Sequence, residues 1–202
     1  MIWGPANMGS IGSLPQSSWV LGFNEPNQGG QANMSPSDAA CIIYQYFIKN
    51  EIMTYLALWP QFESINRNLV GPAVAMGGTM GGTDWYQQFF QSCSNCRVDA
   101  IAIHIYENNL GAFQYWVGQF KQFNKPIWIT EWAFPNLSSD CSELMREVLD
   151  YFKTEPLVQR IGFFGSRLNS QFSDMTKCSL MNPDNTSDMS LYPPGQVYHD
   201  DA

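Results

Sequence analysis

Apolar, β-branched and aromatic residues collect along the chain in short runs that polar segments separate. Near-continuous apolar runs of about four to eight residues are typical of strands buried on both faces of a sheet. The runs that fit this description are residues 1–4, 19–23, 69–75, 99–106, 126–131 and 160–165. The pattern therefore predicts six parallel strands.

The segments between these runs carry signals for helices. Ser35 is placed to cap a helix, Pro36 stands at its first position and Asp38 in its first turn, ahead of a predicted helix over 39–49. Further helices are predicted over residues 83–92, 112–123 and 139–153. Alternating strands and helices predict an α/β protein with a parallel sheet, either a closed barrel or an open doubly wound sheet.

Polar and ionisable side chains stand at the ends of several predicted strands. They are Asn24 and Glu25, then His104, Tyr106 and Glu107, then Glu131, and finally Ser166 and Arg167. Barrel enzymes carry their chemistry at the carboxyl ends of the strands, so this arrangement favours a barrel of the TIM type. The glycine-rich segment 77–83 lacks the spacing of a dinucleotide or phosphate motif and is predicted to be a loop.

Composition narrows the classes of partner. The 202 residues are 45% hydrophobic, which suits one globular domain, and carry 10 basic against 18 acidic residues, a net charge of −8. Such a charge disfavours nucleic acid and anionic membrane surfaces, and no apolar run is long enough to span a bilayer. A neutral polymer is the partner that fits best, although most of the aromatic residues are expected in the core.

Five cysteines are an odd number, so at least one is expected to be free or to pair outside the chain. Cys93 and Cys96 are predicted to form a local disulfide, because no second pair at zinc spacing follows. Cysteine usage leans towards the secretory route, yet the residues after Met1 show no signal peptide.

Glu25 and Glu131 are the candidate catalytic residues. Glycoside cleavage with retention requires one carboxylic acid and one carboxylate about 5–5.5 Å apart. Asn24 is predicted to hydrogen-bond the sugar hydroxyl beside the anomeric carbon, and Pro26 to stiffen the turn. The alternative is that each glutamate is an exposed acid at a strand end.

The neighbouring residues complete the predicted site. His104 and Tyr106 alternate along their strand and therefore face the same side, where Tyr106 is predicted to orient Glu131. His104 either contacts sugar or a carboxylate, or is a hydrogen-bonded core residue. Trp132 is predicted to stack on sugar, whereas Trp128 is more typical of a core. Glu107 is expected to point the other way, and neither a cofactor nor a metal is expected.

Several of these motifs, taken in order, resemble glycoside hydrolase family 128, the alkali-sensitive-linkage-like glycosyl hydrolases. They are Leu21-Gly-Phe-Asn-Glu-Pro26, Val70-Gly-Pro-Ala-Val74, Val98-Asp-Ala-Ile-Ala-Ile-His-Ile-Tyr106 and Lys125-Pro-Ile-Trp-Ile-Thr-Glu131. The resemblance implies a (β/α)8 barrel, activity on β-1,3-glucan, and an extracellular or cell-wall location. It also implies that Glu25 is the acid/base and Glu131 the nucleophile.

The barrel of that family begins with two further strands before the segment that resembles residues 1–4. We therefore expect about six of eight βα units, with residues 1–170 as an N-terminally truncated catalytic barrel domain and residues 171–202 as its irregular closing segment. Two functions follow as alternatives. The chain is either a retaining glucanase or an inactive barrel that binds glucan without turnover.

Overall fold

A computed structural model describes residues 1–40, 45–48, 51–54, 58–78 and 80–202. The chain has an α/β fold and divides into two compact units, Met1–Ile103 and His104–Ala202. The boundary between the units falls inside one strand, β5, which covers Ala100–Tyr106.

The first unit begins with a 3-10 helix, Pro5–Ser13. Its further elements are β1 (Trp19–Leu21), α1 (Pro36–Ala40), β2 (Gln45–Ile48), β3 (Glu51–Thr54), α2 (Trp59–Glu63), β4 (Asn68–Ala75), α3 (Gly82–Ser92) and the start of β5. β1 pairs in parallel with β4, and β4 lies next to β5. A bridge between Asn24 and Ala73 extends the pairing of β1 with β4, while β2 and β3 form a separate antiparallel pair.

The second unit begins with the end of β5. Its further elements are α4 (Leu110–Phe120), a 3-10 helix (Lys121–Phe123), β6 (Ile127–Ala133), α5 (Ser142–Thr154), β7 (Val158–Phe163), two short 3-10 helices (Ser170–Phe172 and Thr176–Cys178) and α6 (Pro193–Asp201). β5 lies next to β6, which pairs in parallel with β7. Nearly all residues of β4, β5 and β6 are buried or half-buried, as their continuous apolar runs predict.

Aromatic residues make up much of each core. In the first unit the ring of Trp59 stacks on Phe62, and Trp85 stacks on Phe89. In the second unit Trp132 is surrounded by the rings of Phe113, Phe134, Phe152 and Phe163. Its side chain has no exposed surface. The prediction that Trp132 stacks on sugar is therefore wrong, because the ring is a central part of the core.

Two of the predicted elements differ from the structure. Residues 1–4 are not a strand, so five of the six predicted parallel strands are present. The segment still makes two backbone hydrogen bonds typical of a sheet: Ile2 N–H donates to Leu21 O, and Trp3 O accepts from Asn24 N–H. A regular ladder stops there because Pro5, at the start of the 3-10 helix, has no N–H to donate. The predicted helix over 39–49 is wrong at residues 45–48, which are rich in β-forming side chains and form β2. Ala39 and Ala40 belong to α1, and residues 41–44 and 49 lie outside the described residues.

The cysteines form two disulfides among the described residues. Cys93 and Cys96 are bonded, which confirms the local disulfide, and Cys141 is bonded to Cys178. With these four cysteines paired, the predicted unpaired cysteine would have to be Cys41, which lies outside the described residues. The segment predicted to be irregular, 171–202, ends in the helix α6. Within the described part of the chain, none of the helices has the length and apolar character that crossing a bilayer requires.

Candidate active site

Glu131 lies near the carboxyl end of β6. Most of that strand is buried, but Thr130 and Glu131 are half-buried. The pairing of β6 with β7 shifts register between Ile129 and Trp132, so the irregularity falls at these two residues. Irregularities of this kind re-aim side chains and are common beside active sites.

Tyr106, the last residue of β5, contacts the carboxylate of Glu131 directly. Its hydroxyl donates a hydrogen bond of 2.6 Å to Glu131 Oε2. The ring meets Phe164 edge-on at 5.6 Å, which restricts its orientation. The predicted contact between Tyr106 and Glu131 is confirmed.

His104 faces the same side as Tyr106, as the alternation along β5 predicts. Its Nδ1 lies 3.4 Å from Glu131 Oε2, and its Nε2 lies 3.1 Å from Thr130 Oγ1. The imidazole has no exposed surface. Of the alternatives that the sequence left open, contact with a carboxylate and a buried, hydrogen-bonded imidazole both fit, whereas contact with sugar does not.

Thr130 is a residue of this site that the sequence did not reveal. Neighbours on a regular strand point to opposite faces of the sheet, so Glu131 and Thr130 were not expected to reach the same imidazole. The register shift in β6 accounts for their shared contact with His104. No sequence pattern signals that shift.

In the first unit, Asn24 and Glu25 follow β1. Asn24 is buried, and its Nδ2 donates to Gln31 Oε1 at 3.2 Å. Glu25 is half-buried and has a left-handed backbone with φ of +41°. Its N–H donates to Ala73 O, and its carbonyl accepts from Gln28 N–H, which closes a turn containing Pro26. Left-handed backbone is costly for a residue with a Cβ, and in residues other than glycine and asparagine it clusters at functional sites.

Two further residues lie where the sequence suggested. The carboxylate of Glu107 accepts a 2.8 Å hydrogen bond from Trp116 Nε1, so it is engaged with α4. Trp128 is 6% exposed, and the guanidinium of Arg160 lies 5.0 Å from its ring centroid. Trp128 is thus a core residue, as a tryptophan in the middle of a strand usually is.

Comparison with known proteins places this geometry in context. Residues 1–198 match the family model described as glycosyl hydrolase catalytic core. The chain belongs to this family.

A curated protein of related sequence is consistent with membership of this glycosyl hydrolase family. Alkali-sensitive linkage protein 1 of Schizosaccharomyces pombe is 31% identical over 153 residues, which are 72% of the chain and 26% of that protein. The chain thus spans about a quarter of the length of this curated relative.

Solved structures show the same likeness. A subgroup II endo-β-1,3-glucanase of family 128 from Sorangium cellulosum is 29% identical, with a TM-score of 0.78, and the alignment covers 100% of the chain and 79% of that protein. One from Pseudomonas viridiflava is 25% identical, with a TM-score of 0.71, and the alignment covers 98% of the chain and 77% of that protein. The resemblance to family 128 is confirmed.

Within this glycosyl hydrolase core, each unit carries one of the two candidate glutamates. Glu25 belongs to the first unit and Glu131 to the second, and their action as a pair stays a prediction. The contacts within the second unit have a direct chemical consequence. Tyr106 and His104 both approach Oε2 of Glu131, so Oε1 is the oxygen that these two side chains leave for other contacts.

Proposed function

We propose that this chain hydrolyses β-1,3-glucan with retention of configuration, with Glu25 as the acid/base and Glu131 as the nucleophile. The observation that carries the proposal is the 2.6 Å hydrogen bond from Tyr106 to Glu131 Oε2. It orients a strand-end carboxylate in a chain that belongs to a glycosyl hydrolase family. The β-1,3-glucanases among the solved relatives support the choice of substrate.

In the first step of this mechanism, Oε1 of Glu131 attacks the anomeric carbon. The carboxylic acid of Glu25 gives its proton to the glycosidic oxygen, and the bond between that oxygen and the anomeric carbon breaks. In the second step the carboxylate of Glu25 takes a proton from water, and that water releases the sugar from Glu131. Glu25 then carries its proton again, and both glutamates are ready for another cycle.

Asn24 and the partners of Glu131 support these steps. Asn24 immediately precedes the acid/base, and we propose that its side chain hydrogen-bonds the sugar hydroxyl beside the anomeric carbon. Contacts to that hydroxyl tighten in the transition state. Tyr106 holds Oε2 while Oε1 bonds to carbon. A substrate of this class also motivates the proposal that the protein acts outside the cell or in the cell wall.

The test compares reducing-sugar release from laminarin by the wild-type protein and by Glu131→Gln. The variant removes the nucleophile and is expected to be inactive, whereas the matched control Glu147→Gln changes an exposed glutamate of α5 and should behave as wild type. Retained activity in Glu131→Gln would refute the assignment. A folded wild-type protein that binds laminarin without releasing sugar would instead support the alternative of a binding protein.

A further inference from the structure

Asn27, two residues after Glu25, has a buried side-chain amide with several partners. Its side chain is 3% exposed. Oδ1 accepts a hydrogen bond of 3.0 Å from Ala75 N–H, and Nδ2 donates to Ala75 O at 2.8 Å. The same Nδ2 also donates to Gly77 O at 3.2 Å and to Met80 O at 2.9 Å. The amide therefore joins the turn after β1 to the end of β4 and to the loop that follows.

The contacts with Ala75 continue the pairing of β1 with β4 beyond the strand. The last backbone bridge joins Asn24 to Ala73, and Ala75 is the next residue of β4 on the same face. Pro26 has no N–H with which the backbone could extend the ladder. The amide of Asn27 takes over this role, since it offers both a donor and an acceptor to the backbone of Ala75.

Gly77 and Gly78, which follow β4, pass closely over Asn27. Gly78 has φ of +133°, and a Cβ at that position would lie 2.6 Å from Asn27 O. Glycine is therefore required there for both space and conformation. Gln28 adds a weaker contact, because its Nε2 donates to Gly77 O at 3.3 Å.

We propose that Asn27 is a positioning residue that joins the turn carrying Glu25 to Gly77 and Met80, beyond the end of β4, so that the two segments move as one unit. The backbone N–H of Glu25 donates a hydrogen bond to Ala73 O, and the Glu25 carbonyl accepts one from Gln28 N–H, which closes the turn in which Asn27 lies. Movement of Asn27 therefore reorients Glu25. This inference rests on the proposed function, because it assigns Asn27 an effect on the acid/base step.

The decisive variant is Asn27→Asp, which keeps the size of the side chain but removes its donors. The carboxylate would face three carbonyl oxygens, and the turn would lose its attachment to the loop. A matched control is Asn66→Asp, because Asn66 is exposed and also has a left-handed backbone, with φ of +50°. Both variants change the net charge equally.

The kinetic readout is kcat/KM on laminarin and on an aryl β-glucan oligosaccharide with a good leaving group. Misplacing a general acid costs about tenfold or more when the leaving group needs a proton, and much less when it does not. Asn27→Asp should show this difference, and it should recover part of the loss at low pH, where a protonated carboxyl group can donate again. Equal losses on both substrates, or no loss, would overturn the proposal.

A second readout does not depend on activity. Amide hydrogen exchange should accelerate in Asn27→Asp both in a peptide covering residues 25–34 and in one covering residues 73–82, and in Asn66→Asp in neither. Gly78→Ala disturbs the same contact from the loop side and should give the same pattern if Asn27→Asp fails to fold. If the wild type hydrolyses no glucan, the proposed function fails, and the amide hydrogen exchange measurement alone tests the positioning role of Asn27. Unchanged exchange in either peptide would then overturn the positioning role.

Discussion

The carboxylate of Glu131 is organised by side chains that converge on one of its oxygens. Tyr106 and His104 both lie beside Oε2, and Thr130 lies beside the other nitrogen of the imidazole. A buried histidine requires hydrogen-bond partners, and here Thr130 and Glu131, neighbours along β6, are among them. The orientation of the proposed nucleophile therefore depends on a chain of three contacts rather than on β6 alone.

Tyr106→Phe should lower kcat/KM on laminarin by about 10- to 100-fold, because a hydrogen bond to a charged group contributes about 1.5–3 kcal/mol. The ring and its contact with Phe164 would remain, so the temperature of unfolding should change little. Tyr115→Phe removes an exposed hydroxyl of α4 and serves as the matched control. Kinetics of Tyr106→Phe equal to those of the control would show that the contact has no catalytic role.

Thr130→Val removes the hydroxyl beside His104 Nε2 and preserves the shape of the side chain. The buried imidazole then loses one partner, and we expect kcat/KM to fall by about threefold to tenfold, in line with a net loss of about 1 kcal/mol. Thr130→Ser keeps a hydroxyl and should restore most of the activity. Similar losses in Val and Ser variants would point to packing rather than to the hydrogen bond.

At the scale of elements, one buried tyrosine joins a helix to the strands beneath it. The hydroxyl of Tyr86, on α3, donates to Pro72 O at 2.6 Å and accepts from Ala102 N–H at 3.2 Å. Burial raises the pKa of Tyr86 far above its usual range, so the hydroxyl stays protonated. Gly71 makes this approach possible, because a Cβ there would lie 2.5 Å from the hydroxyl oxygen.

Tyr86→Phe should reduce the free energy of unfolding by about 1–3 kcal/mol, because it leaves a buried N–H and a buried carbonyl without this partner. Urea unfolding measures the loss, with Tyr115→Phe again as the control for an exposed hydroxyl. A stability unchanged from wild type would mean that the two backbone groups find other partners. A change in the slope of the transition would indicate a different folded or denatured state.

The strands were predictable from the sequence, and the exceptions have local causes. Long buried runs predict β4, β5 and β6 because both faces are covered. The helix predicted over 39–49 is wrong at 45–48, because its start signals say nothing about its length and β-forming residues stand at 45–48. Trp132 was expected beyond the strand, but β6 continues to Ala133 and Trp132 is part of it. The role of Thr130 follows from the register shift in β6, which no pattern reveals.

The candidate site was predictable to a similar extent. Alternation along β5 predicts that His104 and Tyr106 share a face, and the structure confirms their approach to Glu131. Asn27 was missed because its partners lie 48 to 53 residues away, at backbone atoms that have no sequence signature. Contacts from a side chain to distant backbone depend on the assembled fold.

At the scale of the whole molecule, the dominant electrostatic feature is a net charge of −8. A neutral glucan gains nothing from this charge, and its recognition should depend on hydrogen bonds and ring contacts. An anionic polysaccharide would be repelled over distances of about 10 Å at 0.1 M salt. The net charge of the protein therefore favours neutral over acidic polymers before either reaches Glu25 or Glu131.

This argument predicts the effect of salt on the proposed reaction. The initial rate on laminarin should change by less than about twofold between about 20 mM and 0.5 M sodium chloride, because neither binding nor encounter involves opposite charges. Carboxymethylated β-1,3-glucan, matched in backbone, should be cut more slowly at low salt and should gain rate as screening increases. Reducing-sugar assays on both polymers provide the comparison. A laminarin rate that falls steeply with salt would mean that specific charged side chains contribute to substrate binding, and the inference that glucan recognition is independent of charge would be wrong.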